Sequence, residues 1–216
     1  MKKIHYVHMG FEFTGTTWLF ENFKRHEGID YKNIKEFGVY KFDKDDDVYF
    51  REYENCDVSF NLNPNDCDLP DEIISHRSKY ITHCGVSIRN PYERLEGWIN
   101  FSKNRVLTET PAQWLNSRLN EGFTDYITKI KRWESLCDKP MHYMVFDDLL
   151  DDDQAYFDSL MDFLGLEKGM EVLHQKYNWR PRNIKLEFND EHKAKINEHI
   201  DQMSAFLARE LSHWKR

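Results

Sequence analysis

The segment that decides the fold is "HMGFEFTGTTWL", residues 8–19. The residues before it form a short apolar run that predicts a strand over 2–9, and the residues after it have the apolar spacing of a helix over about 16–26. The segment is therefore predicted to join a strand to a helix through a loop. Its glycines, Gly10 and Gly15, are spaced as in a phosphate-binding loop, in which backbone N–H groups at a helix N-terminus hold an anion.

The loop lacks the lysine that nucleotide triphosphatases place directly after the second glycine. That lysine neutralises the β- and γ-phosphates, and this chain has Thr16 in its place. The sequence therefore argues against ATP or GTP hydrolysis, and a P-loop kinase is the least favoured reading. The backbone N–H groups from Thr14 to Thr17 can still hold an anion at a helix N-terminus. The alternative is a glycine turn that only starts a helix.

Length and composition predict one globular domain over 1–216. Hydrophobic residues make up 40% of the 216 residues and aromatic residues 15%, which is enough for a packed core. The formal charge of −8 argues against a nucleic-acid partner, because phosphate backbones are bound by basic surfaces. The sequence has no apolar run of membrane-spanning length and no signal-peptide pattern, so we expect no membrane association and a cytoplasmic location.

We expect no metal site and reduced cysteines. His5 and His8 lie an odd number of residues apart on a predicted strand, so their side chains point to opposite faces. His83 and Cys84 have no partner at metal-ligand spacing. The four cysteines are widely separated and form no C-x-x-C pair, namely Cys56, Cys67, Cys84 and Cys137.

Strands alternate with helices along the chain. Further strands are predicted within 78–91 and at 141–150, with a strand or extended loop at 35–42. Helices are predicted from Pro91 onward, at 111–120, 123–137 and 153–165, and after an N-cap at Asn189 or Asp190. One apolar stripe marks that last helix: Ile196, Ile200, Met203, Leu207, Leu211 and Trp214.

This alternation predicts an α/β fold. The expected architecture is a three-layer sandwich with a central, mostly parallel sheet flanked by helices, as in P-loop nucleotide-binding proteins. Ligands of such sheets bind beyond the carboxyl ends of the strands. The loops at 10–17 and 89–91, together with 35–42, are therefore expected along one rim.

Three ordered segments resemble the sulfotransferase family. "HMGFEFTGTTWL" resembles the family's 5′-phosphosulfate loop, roughly H-x-G-x-P-K-[ST]-G-T-T-x-L. "VSIRNPYERLEGW" (86–98) is similar to its 3′-phosphate motif, R-[DN]-P-x-x-R-x-x-S-x-Y. "MVFDDLLDDDQAYFDSLMDFLGL" (144–166) is similar to the family segment that ends in FLGL. The first two matches are fairly specific, the third alone is weak, and together they span most of the chain.

The resemblance implies a donor, a reaction and a set of site residues. The donor is 3′-phosphoadenosine 5′-phosphosulfate (PAPS), the product is 3′-phosphoadenosine 5′-phosphate (PAP), and no metal is implied. A sulfuryl group would pass in line to a hydroxyl or amine of a small-molecule or carbohydrate acceptor. The residues at the 5′-phosphosulfate loop would be Thr14, Gly15, Thr16, Thr17 and Trp18.

Other predicted roles fall outside that loop. Arg89 would pair with the 3′-phosphate, because a guanidinium fork suits phosphate geometry. Arg180 and Arg182 lie in "NWRPRNIKLEF" (178–188), where the family closes a loop over the cofactor. The alternative for both is a solvated basic loop.

A catalytic pair is predicted in "KEFGVYKF" (35–42), which is similar to the stretch that carries the base in the carbohydrate-acting branch. Glu36 would remove the acceptor proton, and Lys35 would approach the leaving group. The alternative is a surface Lys–Glu pair.

Two departures from the family pattern affect the predicted activity. Phe13 occupies the position of the family lysine, and Gly97 that of the serine in the 3′-phosphate motif. The loss of one charge-stabilising donor costs about 10²–10³ in rate. Two functions thus stay open: an active sulfotransferase, and a catalytically impaired relative that binds the nucleotide or a partner without turnover.

Overall fold

A computed structural model of the chain describes residues 3–29, 57–63, 66–102, 109–174 and 184–216. The predicted strand or loop at 35–42 lies outside these residues. So do four predicted site residues: Lys35, Glu36, Arg180 and Arg182.

Among the described residues, the centre of the fold is a parallel sheet of four strands. The strands are β1 (Ile4–His8), β2 (Val58–Leu62), β3 (His83–Ile88) and β4 (Met141–Val145), in the order β2-β1-β3-β4. All three neighbouring pairs are parallel. The predicted parallel sheet is confirmed, and β2 is a strand that the sequence analysis did not predict.

Eight α-helices lie within the described residues. They are α1 (Thr16–Phe23), α2 (Asp71–Ser78), α3 (Pro91–Ser102), α4 (Pro111–Asn120), α5 (Tyr126–Cys137), α6 (Phe146–Asp151), α7 (Asp153–Leu164) and α8 (Asp190–Leu207). The prediction of a helix that starts at Pro91 is confirmed. The predicted strand at 141–150 was too long, because the chain turns into α6 at Phe146.

The chain divides into two compact units, each of which is formed by two stretches of sequence. The first contains 1–88 and 132–177, and the second contains 89–131 and 178–216. The first unit therefore holds all four of the described strands. The expectation of a single domain over 1–216 stays a prediction.

Helices cover both faces of the sheet in the first unit. On one face, the Phe23 ring of α1 lies 4.7 Å from the Phe60 ring of β2 and 5.8 Å from the Phe157 ring of α7. On the other face, the Cys137 Sγ at the end of α5 lies 3.6 Å from the Cys84 Sγ of β3. These contacts confirm the predicted three-layer arrangement.

In the second unit, helix α8 ends earlier than its apolar stripe predicts. It begins as expected, since the Asn189 side chain accepts a hydrogen bond from the His192 backbone N–H at 2.8 Å. It ends at Leu207, because Ala208 adopts a left-handed conformation with φ 49°. Leu211 and Trp214 therefore lie beyond the helix, where both are buried.

Candidate functional site

The loop between β1 and α1, residues 9–15, is here called the Gly15 loop. Its first residue is tied to the neighbouring strand, because the Met9 backbone N–H donates to the Gly85 carbonyl oxygen at 2.9 Å. Inside the loop, the buried Thr14 hydroxyl donates to the Phe11 carbonyl oxygen at 2.6 Å. The loop thus has a fixed internal structure at the carboxyl end of a parallel strand, where ligands of such sheets bind.

Gly15 has to be a glycine for two reasons. Its φ of 91° lies in the left-handed region, which a side chain disfavours. An added Cβ would also lie 2.9 Å from Leu149 Cδ2 and 3.2 Å from a ring carbon of Phe146. The second glycine of the predicted phosphate loop therefore lets α6 pack closely against the start of α1.

Phe13 also has a left-handed backbone, with φ 66°. For a residue that carries a side chain, this conformation costs about 1–2 kcal/mol. Backbone strain of this kind occurs often at ligand-binding loops. In this chain the strained residue is the one that stands where the resembled sulfotransferase loop has a lysine.

The N-terminus of α1 has no side-chain cap. Gly15 is its N-cap residue, and the first turn of α1 contains no acidic residue. By contrast, side chains cap several other described helices, among them Asn90 on α3, Thr110 on α4, Asp125 on α5, Asp152 on α7 and Asn189 on α8. The partial positive charge at the start of α1 is therefore not offset by a capping side chain, which suits an anion.

The predicted 5′-phosphosulfate residues differ in what their side chains do. Thr14 and Thr16 are buried, and Thr17 is half-buried. Trp18 is buried as well, and its indole Nε1 donates to the Leu173 carbonyl oxygen at 2.8 Å. The side chains of Thr14 and Trp18 therefore brace the loop and α1, and an anion would be met by backbone N–H groups.

A chain of buried polar side chains lies just before the Gly15 loop. The Tyr6 hydroxyl shares a 2.6 Å hydrogen bond with His8 Nδ1, and His8 Nε2 shares one of 3.0 Å with Ser87 Oγ. Ser87 Oγ is also 2.9 Å from the Tyr156 hydroxyl. These hydrogen bonds link β1, β3 and α7 next to the start of the Gly15 loop. The sequence analysis missed this chain of side chains, because its members lie up to 150 residues apart in the sequence.

The two histidines of β1 are neutral in the folded protein. Burial, with a smaller contribution from nearby His142, lowers the pKa of His8 to about 3. Burial and then the charge of Arg77 lower the pKa of His5 to about 4. In the unfolded chain both imidazoles bind a proton near pH 6.5.

The free energy of unfolding is therefore expected to fall as the pH decreases from 6.5 to 5. In this range the unfolded chain binds protons that the folded protein excludes, so each of His5 and His8 contributes up to about 1.4 kcal/mol per pH unit. Urea unfolding at pH 7, 6 and 5 measures the slope. The variant His8→Gln should show a shallower slope, and a flat profile in the unmodified chain would contradict the burial argument.

Arg89, the predicted 3′-phosphate residue, lies in the second unit. The Arg89 guanidinium Nη2 lies 2.8 Å from Glu93 Oε2. The Tyr126 hydroxyl donates to the backbone carbonyl oxygen of Arg89 at 2.9 Å. The second arginine of the same motif, Arg94, is buried, and its guanidinium lies 3.7 Å from the centre of the Phe123 ring. Sequence reasoning did not anticipate the Glu93 and Tyr126 contacts.

Two further observations concern metals and membranes. In the part of the chain that the structure describes, no group of three or more His, Cys, Asp or Glu side chains is placed to hold a metal ion. Among the same described residues, no helix has both the length and the apolar composition needed to cross a membrane.

Solved structures of sulfotransferases share this fold. A sulfotransferase from Alicyclobacillus acidocaldarius matches with a TM-score of 0.76 and 15% identity, over 100% of both chains. The sulfotransferase domain from the curacin biosynthetic pathway matches with a TM-score of 0.63 and 12% identity, over 98% of this chain and 99% of that domain. A mouse sulfotransferase complexed with PAP matches with a TM-score of 0.54 and 13% identity, over 95% of this chain and 68% of the mouse chain.

No protein-family model matches the sequence, and no curated protein matches it either. The chain has a sulfotransferase-like fold. At identities of 12–15%, the likeness concerns the fold and leaves donor and activity to be inferred from the site.

Proposed function

We propose that the chain is a sulfotransferase that uses PAPS as its donor. The observation that carries the proposal is the Gly15 loop, which begins a helix with no side-chain cap in a fold shared with sulfotransferases. The PAP bound to the mouse structure is the product that such a donor leaves.

In this reaction the chain would act mainly by positioning the donor and stabilising charge. The acceptor hydroxyl or amine forms a bond to sulfur while the bond from sulfur to the 5′-phosphate oxygen breaks, which leaves PAP. The N–H groups at the start of α1 would stabilise the negative charge that develops on the leaving phosphate. Arg89 would hold the 3′-phosphate.

Proton removal is assigned by the resemblance to Glu36, with Lys35 near the leaving group. The released proton of the acceptor passes to the Glu36 carboxylate in this scheme. The acceptor is proposed as a small molecule or a carbohydrate with a free hydroxyl or amine.

A second function is favoured by Phe13. This residue places an apolar side chain where the family lysine would stabilise the leaving group, so a chain that binds the nucleotide without turnover is the competing proposal.

The variant Phe13→Lys separates the two proposals. We expect it to raise PAPS turnover roughly 100-fold, since it restores a cation at the phosphosulfate loop. The readout is chromatographic detection of PAP, with a simple phenol and a monosaccharide as acceptors. Phe13→Met is the matched control, because it keeps an apolar side chain in the same strained backbone and should leave the rate unchanged.

The possible outcomes discriminate clearly. Turnover by the unmodified chain, raised in Phe13→Lys, supports the enzyme. Tight PAPS binding without turnover by the unmodified chain supports the binding protein instead, and turnover that appears only in Phe13→Lys would show that the missing lysine is the reason. If the chain binds neither PAPS nor PAP, both proposals fail.

A further inference from the structure

The side chain of Arg89 makes an ion pair with an acidic residue one helical turn away. Glu93 Oε2 accepts hydrogen bonds from Arg89 Nη2 at 2.8 Å and from Arg89 Nε at 3.3 Å. The Nε–Nη2 edge is one of the two edges with which a guanidinium can bind two oxygen atoms of a phosphate or carboxylate. One edge of Arg89 is therefore already used by a carboxylate.

The backbone around Arg89 is held in place independently of this ion pair. The buried Tyr126 side chain donates to the Arg89 carbonyl oxygen at 2.9 Å. The next residue, Asn90, caps α3, because its Oδ1 accepts from the Tyr92 backbone N–H at 3.0 Å. Neutralising Glu93 should consequently change the charge beside Arg89 without displacing its backbone.

The pair is shielded from solvent on the arginine side. The Arg89 side chain is only 14% exposed, whereas that of Glu93 is 37% exposed. Glu93 also lies in the first turn of α3, where the helix dipole favours a negative charge. The Glu93 carboxylate is thus stabilised beside Arg89, and it repels any second anion that binds there.

We propose that Glu93 is a specificity-determining residue that competes with the ligand's 3′-phosphate for Arg89. This role rests on the proposed function, in which Arg89 binds that phosphate. A phosphate that binds the Nε–Nη2 edge of Arg89 has to displace the Glu93 carboxylate from that edge. The displaced carboxylate remains nearby and repels the phosphate. Glu93 should therefore weaken the preference of the chain for nucleotides that carry a 3′-phosphate over nucleotides that lack it.

The test compares two nucleotides that differ only in the 3′-phosphate. PAP and adenosine 5′-phosphate are titrated calorimetrically into the full chain, its Glu93→Gln variant and its Arg89→Ala variant. We expect Glu93→Gln to bind PAP about tenfold more tightly and adenosine 5′-phosphate unchanged, with a gain that shrinks at high salt because charge repulsion is screened. Arg89→Ala should reduce the preference for PAP over adenosine 5′-phosphate.

Glu96→Gln is the matched control. Glu96 lies three residues further along the same helix, and its Oε1 is 2.6 Å from Arg216 Nη1. Its neutralisation changes the net charge of α3 by the same amount but keeps the carboxylate that pairs with Arg89. We expect it to leave the ratio of the two affinities unchanged.

Each outcome is decisive. If Glu93→Gln binds PAP no more tightly than the unmodified chain does, or more weakly, Glu93 does not compete for Arg89 and the inference is overturned, although the proposed function stands as long as PAP binds. An equal gain in Glu96→Gln would also overturn it, because net charge alone would then explain the effect. If no variant binds PAP, both this inference and the proposed function fail.

Discussion

The substitution Gly85→Ala is expected to lower the free energy of unfolding by about 3 kcal/mol, at the upper end of what overpacking costs in a buried core. Gly85 lies in β3, one of the two inner strands, and the Tyr6 ring lies where its Cβ would be. An added Cβ would overlap the Tyr6 hydroxyl oxygen and lie 2.7 Å from the Tyr6 Cζ. Tyr6 is fully buried and shares a hydrogen bond with His8, so a shift of its ring would disturb the packing and that hydrogen bond.

Urea unfolding measures this loss, and two variants control it. Gly28→Ala places a methyl group at an exposed glycine, where the nearest atom is His26 Cε1 at 3.3 Å, and should lower stability much less than Gly85→Ala does. The double variant Tyr6→Phe with Gly85→Ala removes the shortest contact, so its loss should be smaller than the sum of the two single losses. A Gly85→Ala protein as stable as the unmodified chain would show that Tyr6 does not lie over Gly85.

The variant Thr17→Glu is expected to separate ligand binding from stability. Thr17 is the second residue of α1, where a carboxylate interacts favourably with the helix dipole by about 0.3–1 kcal/mol. The same carboxylate repels an anion held by the N–H groups of that turn. At 4 Å and an effective dielectric constant of 20 this repulsion is about 4 kcal/mol, so we expect the affinity for PAP to fall at least about 100-fold.

Thermal unfolding and calorimetry with PAP measure the two effects on the same samples. Thr17→Gln is the matched control, since it has nearly the same shape without the charge and should keep most of the affinity. The expected pattern is an unchanged or raised melting temperature together with lost binding. If Thr17→Glu binds PAP as well as Thr17→Gln does, the anion is not held at the start of α1.

The sequence predicted those parts of the fold whose signals are local. The Gly15 loop and the start of α1 follow from glycine spacing between a strand and a helix. The start of α3 follows from Pro91, whose missing N–H is tolerated in a first helical turn. These features need no knowledge of distant residues, so the pattern alone was sufficient.

The rest depends on contacts between distant residues. Strand β2, "VSFNL", alternates apolar and polar residues, yet all five are buried, because Ser59 Oγ shares a 2.6 Å hydrogen bond with His5 Nδ1 and Asn61 donates to Asp66. The end of α8 at Leu207 is set by the left-handed Ala208, while the apolar stripe continues past it. The alternation in β2 is a local strand signal, but it covers only five residues, and nothing local marks the end of α8.

The candidate site follows the same division. The position of the Gly15 loop could be predicted, but the internal hydrogen bond of Thr14 and the strained backbone of Phe13 could not. The pairing of Arg89 with Glu93 has the i, i+4 spacing of an ordinary helix pair, and this spacing alone does not distinguish a surface pair from one that faces a ligand.

The most direct test of the proposed function is a calorimetric titration of the full chain with PAP, beside Mg-ATP. We expect micromolar binding of PAP that is weakened in Arg89→Ala and in Thr17→Glu, with no detectable binding of Mg-ATP. Binding of Mg-ATP without binding of PAP would contradict the proposed function, and would mean that the Gly15 loop serves a different phosphate ligand on a sulfotransferase-like fold.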